Sequence, residues 1–208
     1  MAQIYELLIY GIVLGLAQGL TPGPLITLIL SETLKYGKKE GIKIAVSPLI
    51  TDSLIVLLSL LILSNLAGYS AIIGTISLFG ACYLIYLGIE DLRIKIDEFE
   101  VEPGKKASLR RGIIANFLSP HPYLFWLSIG GPTILESAQT SVFVAALFIT
   151  GVYVALIGSK VTVAVVVDRS KTILKSKYYV YAIRALGIVL IIFALIFIRD
   201  GLQLIGLL

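Results

Sequence analysis

The stretch AQGLTPGPL (Ala17–Leu25) returns in altered spelling as ANFLSPHPY (Ala115–Tyr123). With Ala17 laid over Ala115, Gln18 meets Asn116, Leu20 meets Leu118, Thr21 meets Ser119, Pro22 meets Pro120 and Pro24 meets Pro122. Amide falls on amide and hydroxyl on hydroxyl. Single matches are common by chance in apolar sequence, whereas a matched amide-hydroxyl-Pro-x-Pro pattern is not. Each motif lies well inside a long apolar run, near the middle of its depth. Two closely spaced prolines remove two backbone donors and crowd the preceding turn, so both segments should be broken or sharply kinked helices. In hydrocarbon such breaks are tolerated only where protein neighbours or a wet cavity satisfy the freed backbone groups. A simple packing kink is the plainer alternative.

Around these motifs the chain is 58% hydrophobic and only 14% charged over 208 residues, with a mean hydropathy of +0.97. A soluble domain carries about 25% charged residues. Apolar stretches fall at Ile4–Leu34, Ile42–Leu63, Ala71–Ile89, Gly112–Leu135, Val142–Val167 and Tyr179–Ile198. Each is long enough to cross a bilayer as a helix, which takes about 20 residues. The expected class is therefore an all-α integral membrane protein with six transmembrane helices, of which the first and fourth are broken. The first run has no basic segment before it, its only early charge being Glu6, so it reads as a span rather than a cleaved signal.

The charges sort by loop. Lys35, Lys38, Lys39 and Lys43 follow span one; Arg93, Lys95, Lys105, Lys106, Arg110 and Arg111 follow span three; Arg169, Lys171, Lys175 and Lys177 follow span five. The loops after spans two and four hold no Lys or Arg. The basic loops are expected in the cytoplasm and both termini outside, in a multi-pass plasma-membrane protein. The net charge of +4 is then topological and gives no reason to expect nucleic acid as a partner. Residues 1–90 form a first three-helix repeat, 91–111 a cytoplasmic linker and 112–208 a second repeat. With three spans each, the repeats must be inverted relative to one another, the plan of secondary transporters whose broken helices meet at the midplane.

A helix starting beyond each Pro pair points free N–H groups and positive dipole character at the break. Such ends favour an anion or carboxylate. Gln18, Thr21, Asn116 and Ser119 add dipoles there, Gly23 permits close backbone approach, and His121, the only histidine, stands where Gly23 stands in the other half. Pro22, Pro24, Pro120 and Pro122 are the expected hinges. Asp52, midway along span two between Thr51 and Ser53, costs at least ~2.5–3.5 kcal/mol to insert and so needs a partner or a purpose. It could bind a substrate ammonium, carry a coupling proton, or hold helix-end N–H groups. His121 is the second proton-coupling candidate. Lys160, late in span five, either snorkels to the interface or pairs with Asp52. Trp126, Tyr123 and Phe125 line a cavity or pack between helices; Tyr178, Tyr179 and Tyr181 suggest an interfacial belt. Arg199 and Asp200 mark the outer end of the last span. The spacing Gly11–Gly15–Gly19 permits close helix contact, within the chain or in a homo-oligomer.

One Cys and one His with scattered Ser make neither a thiol redox relay nor a nucleophile–base set, so an enzyme is not expected. Nothing suggests a cofactor. A divalent-cation exporter would want clustered carboxylate, His or Cys ligands, and an uncoupled channel could also be built from broken helices. Both stand as alternatives.

The string GLAQGLTPGPLITLILSETLKYGKKEGIKIAVSPLITDSLIVLL (Gly15–Leu58) resembles the N-terminal signature of the LysE/RhtB family of amino-acid exporters. There a Pro-Gly-Pro in the first span is followed by a basic loop and an Asp in the second, matched here by Pro22, Gly23, Pro24 and Asp52. The family's Asn-Pro-Lys-like motif before a Phe-rich helix is similar to Ser119, Pro120 and His121 ahead of Tyr123, Leu124, Phe125 and Trp126, with Ser for Asn and His for Lys. The resemblance implies export of amino acids or related small solutes, coupled to an ion gradient such as the proton's. A zwitterion would offer its carboxylate to the helix ends and its ammonium to Asp52. With no second acid evident in the spans, neutral amino acids fit better than cationic ones.

Overall fold

A computed structural model describes residues 2–63, 69–93, 108–170 and 176–207, with side chains at 5–60, 72–93, 108–170 and 180–207. The linker expected at 91–111 therefore lies, over 94–107, outside the described residues, as do the side chains of Tyr178 and Tyr179. Every element among the described residues is helical. Helix α1 spans Ala2–Leu20 and α2 Pro24–Tyr36; α3 is Lys38–Ala45, α4 Ser47–Leu63 and α5 Tyr69–Leu92. Then come α6 Ser108–Phe117, α7 Pro120–Phe125, a π-helical segment Trp126–Gly130, α8 Gly131–Thr140, α9 Val142–Ser170 and α10 Ser176–Ile205.

Both Pro motifs break the chain where the sequence places them. Pro22 disfavours helical backbone at Thr21, so α1 stops at Leu20. Gly23 is extended (φ −168°, ψ 178°), and Pro24 opens α2, a position where its missing N–H costs nothing. The two helices meet at 62°. At the far end of α2, Gly37 takes φ 95°, a left-handed conformation that favours glycine. The second break is more fragmented than the motif alone implies. Leu118 and Ser119 separate α6 from α7, and the Gly131 N–H then reaches back five residues to the Trp126 carbonyl. Pro132, which has no N–H to give, stands in the first turn of α8.

Four helical stretches, Lys38–Leu60, Ile72–Leu92, Val142–Ser170 and Val180–Ile205, are long and apolar enough to cross a membrane, and the bent pair α1–α2 makes a fifth. The broken run α6–α8 contains no single helix of that length. α10 continues to Ile205, so Arg199 and Asp200, paired at 3.6 Å, sit before its end rather than at it.

Two glycine-lined pairs hold the bundle. α1 runs parallel to α9: a Cβ at Gly11 would lie 2.5 Å from the Phe148 carbonyl oxygen, Gly15 faces Val152, and Gly19 faces Leu156 and Ser159. α5 runs antiparallel to α10: a Cβ at Gly88 would meet the Gly187 carbonyl at 2.8 Å, and one at Gly201 the Gly74 carbonyl at 3.0 Å. Small residues let such backbones touch, and in lipid this contact replaces the hydrophobic drive. Each pair joins a helix that precedes residue 94 to one that follows residue 107.

The ends of α2, α5 and α9 and the starts of α3, α6 and α10 gather at one end of the bundle. The Lys38 N–H donates to Asp168 Oδ1 at 3.0 Å, and Leu34 packs with Val167 and Ile183. Lys35 and Arg111, two of the expected loop cations, turn inward there. Lys35 ion-pairs with Asp91 and lies 3.7 Å from Glu32. Arg111 Nη1 donates to Glu32 Oε1 at 3.0 Å and to Glu90 Oε1 at 2.8 Å. Ser31 donates to Asp91 at 2.6 Å and Ser108 to Glu32 at 2.8 Å. The acids at 32, 90 and 91 are what draw these cations inside.

Candidate functional site

The two breaks open onto one cavity of about 340 Å³. Its wall contains Gln18, Thr21, Pro22, Gly23, Pro24, Asp52, Asn116, Ser119, His121 and Pro122. The seven residues expected to form a binding site are thus brought together from α1, the first break, α4, α6, the second break and the first turn of α7. Pro120 is buried at the start of α7 and does not face the cavity. Apolar wall comes from Leu25, Ile26, Leu124, Phe125, Ile129 and Leu156.

Asp52 is 3% exposed and is held from the other half of the chain. Asn116 Nδ2 donates to Asp52 Oδ1 and to Thr51 Oγ1, both at 2.6 Å. The Thr51 proton is shared between the Ser47 carbonyl at 3.2 Å and Asp52 Oδ1 at 3.3 Å. One oxygen of the carboxylate is therefore positioned by an amide and a hydroxyl. Behind it, Trp126 is fully buried, stacked on Tyr153 at 6.0 Å and edge-on to Phe125 at 5.0 Å. Of the three aromatics expected near the site, Phe125 lines the cavity; Trp126 and Tyr123 pack behind it, the Tyr123 hydroxyl donating to the Phe117 carbonyl at 2.9 Å.

Lys160 departs from both expectations for it. It neither snorkels nor pairs with Asp52. It is 5% exposed, lines the cavity and donates to the Gly19 carbonyl at 3.2 Å, capping the negative end of α1. The reason is steric: α9 lies so close to Gly15 and Gly19 that Lys160 comes level with the last turn of α1.

The first break leaves real donors. Gly23 gives α2 no side-chain cap and Pro24 has no N–H, so the N–H groups of Leu25 and Ile26, two residues of the cavity wall, have no partner within the first turn of α2. The Thr21 hydroxyl is committed to the Ala17 carbonyl at 2.5 Å, leaving its oxygen lone pairs to the cavity. The second break opens only a six-residue helix, so the two breaks are chemically unequal. The His121 ring meets Phe197 edge-on at 6.1 Å. No group of three His, Cys, Asp or Glu side chains is placed to hold a metal ion among the described residues.

A family model described as LysE type translocator matches residues 16–201. No curated protein matches, nor does any solved structure.

Proposed function

The chain belongs to the LysE type translocator family, membrane proteins that move small solutes such as amino acids, and on that premise we propose that it exports amino acids by alternating access around the cavity at its two breaks. The observation that carries this reading is the cavity itself: one buried carboxylate, one buried ammonium and a bare helix head line a space of about 340 Å³. That volume suits a small solute, and opposite charges on its walls suit a zwitterion. In this reading the chain crosses the membrane six times, as inverted repeats 1–90 and 112–208, with the basic loops in the cytoplasm. Each glycine-lined pair draws one helix from each repeat. The bodies that shift are thus the pairs α1–α9 and α5–α10, with α2, α4 and the broken run α6–α8 between them.

Asp52 carries the coupling. A substrate ammonium and a proton compete for the same carboxylate, so loss of one accompanies binding of the other. His121, on the cavity wall, is the second group able to take a proton. The test uses purified protein in proteoliposomes loaded with mixed amino acids under an imposed proton gradient, with Asp52→Asn in parallel. Selective, gradient-dependent movement that disappears in Asp52→Asn is the expected result. Uphill transport surviving in Asp52→Asn would remove the coupling role. Flux of a divalent cation without amino-acid movement would replace the whole reading with a cation exporter, and downhill flux alone would make the protein a channel.

A further inference from the structure

Lys160 uses only part of its charge. An ammonium has three donors, and here one goes to the Gly19 carbonyl at 3.2 Å. No carboxylate among the described residues lies within ion-pair distance of it, although Asp52 lines the same cavity and feels its charge. Taking an ammonium out of water costs several kcal/mol. A single backbone carbonyl carries a partial charge and offsets little of that. By contrast Lys35, the other lysine buried among the described residues, has three carboxylates around it. Lys160 is thus a buried cation with no carboxylate at ion-pair distance among the described residues, on the wall of a cavity that Asp52 also lines.

The same cavity wall holds Leu25 and Ile26, at the uncapped head of α2, and Asp52, which is fixed by Asn116. We propose that Lys160, with the bare head of α2, is the carboxylate pole of the site, and that it selects solutes carrying an α-carboxylate next to the amino group that Asp52 receives. The side chain of such a solute lies against Leu124, Phe125, Ile129 and Leu156, which favours uncharged, apolar side chains. The assignment rests on the amino-acid transport reading above and adds the residue that discriminates within it.

The experiment compares three probes of one side chain: leucine, leucine methyl ester and 3-methylbutylamine, which lacks the carboxylate altogether. Binding is measured on the full chain, purified, by competition and by ligand-induced thermal shift. Wild type is expected to favour leucine over the ester and the amine by roughly 10- to 100-fold, the worth of a charge-assisted hydrogen bond. Lys160→Met, which keeps the length and loses the charge, should level the three probes while leaving amine binding intact. Lys160→Arg should restore most of the preference. A lysine that merely capped α1 would, when replaced, weaken leucine and the amine alike, and that outcome overturns the proposal. So does a wild type that binds acid and ester equally, a result that needs no variant to fold. Wild type binding leucine with an unchanged ratio in Lys160→Met would sink the assignment and leave the transport reading standing; wild type binding none of the probes would overturn this proposal, while the mixed amino-acid flux experiment above decides the transport reading.

Discussion

Replacing Lys35 by Met should destabilise the protein more than any other single change in its charged cluster. Three carboxylates, Glu32, Glu90 and Asp91, face two cations, Lys35 and Arg111, among the described residues there. Lys35 and Asp91 are 6% and 3% exposed at their side chains, so neither can turn to water. Without Lys35 the Arg111 guanidinium still bridges Glu32 and Glu90, but Asp91 keeps only the Ser31 hydroxyl at 2.6 Å. An uncompensated buried charge of this kind costs about 3–5 kcal/mol. For a chain of this size that is a fall in Tm of roughly 6–20 °C. Trp126 supplies the signal: it is the one tryptophan and is fully buried, so its emission shifts on unfolding. The double variant Lys35→Met/Asp91→Leu removes both charges and should recover ~0.5–3 kcal/mol relative to the sum of the single changes. A Lys35→Met protein melting within ~2 °C of wild type, or a double variant no better than additive, would refute the reasoning.

The same cluster predicts an asymmetry: Glu32→Gln brings its charges into balance and should cost less than Lys35→Met in the same melt, although Glu32 is the more buried. Asn116→Leu strips Asp52 Oδ1 and Thr51 of their shared donor and should cost ~1–3 kcal/mol together with a loss of transport in proteoliposomes. Gly88→Val forces a side chain toward the Gly187 carbonyl and should lower the melting point by the equivalent of ~1–3 kcal/mol. Gly158→Ala, with nothing within 4 Å of the added methyl, should be neutral or gain up to ~1 kcal/mol in helix propensity; equal effects of the two glycine changes would contradict the packing described here.

The two breaks and the residues around them were legible in the sequence because proline acts locally. Pro22 and Pro120 end helices whatever packs nearby, and Gln18, Thr21, Asn116 and Ser119 are carried to the same place by the matched motifs. Asp52 was legible for a different reason, as an expensive residue in an apolar run. What stayed hidden depended on how helices face one another. Whether Lys160 reaches water, Asp52 or α1 follows from the closeness of α9 to Gly15 and Gly19. A hint was present, since Gly151, Ala155 and Ser159 repeat small residues along α9 at the spacing of Gly11, Gly15 and Gly19. Lys35 and Arg111 sit at span ends and sort with the loop cations by position alone. Only the meeting of α2, α5 and α6 reveals that Glu32, Glu90 and Asp91 take them inward. The π-helical segment follows from Gly130, Gly131 and Pro132 acting together, a register shift that no single residue announces.

The parallel contact of α1 with α9 also sets an order of events at the ribosome. α1 enters the membrane first, with Gly11, Gly15 and Gly19 bare along one side, and its mate is not yet made. At the usual pace of synthesis roughly ten seconds pass before α9 emerges. The glycine side of α5 has a shorter wait for α10, because fewer residues separate the two helices. During that interval lipid, or whatever escorts nascent helices, must occupy the grooves that backbone fills in the finished protein. A chain stopped after residue 90 would keep both grooves open, since every surface that closes them is written in the part not yet translated.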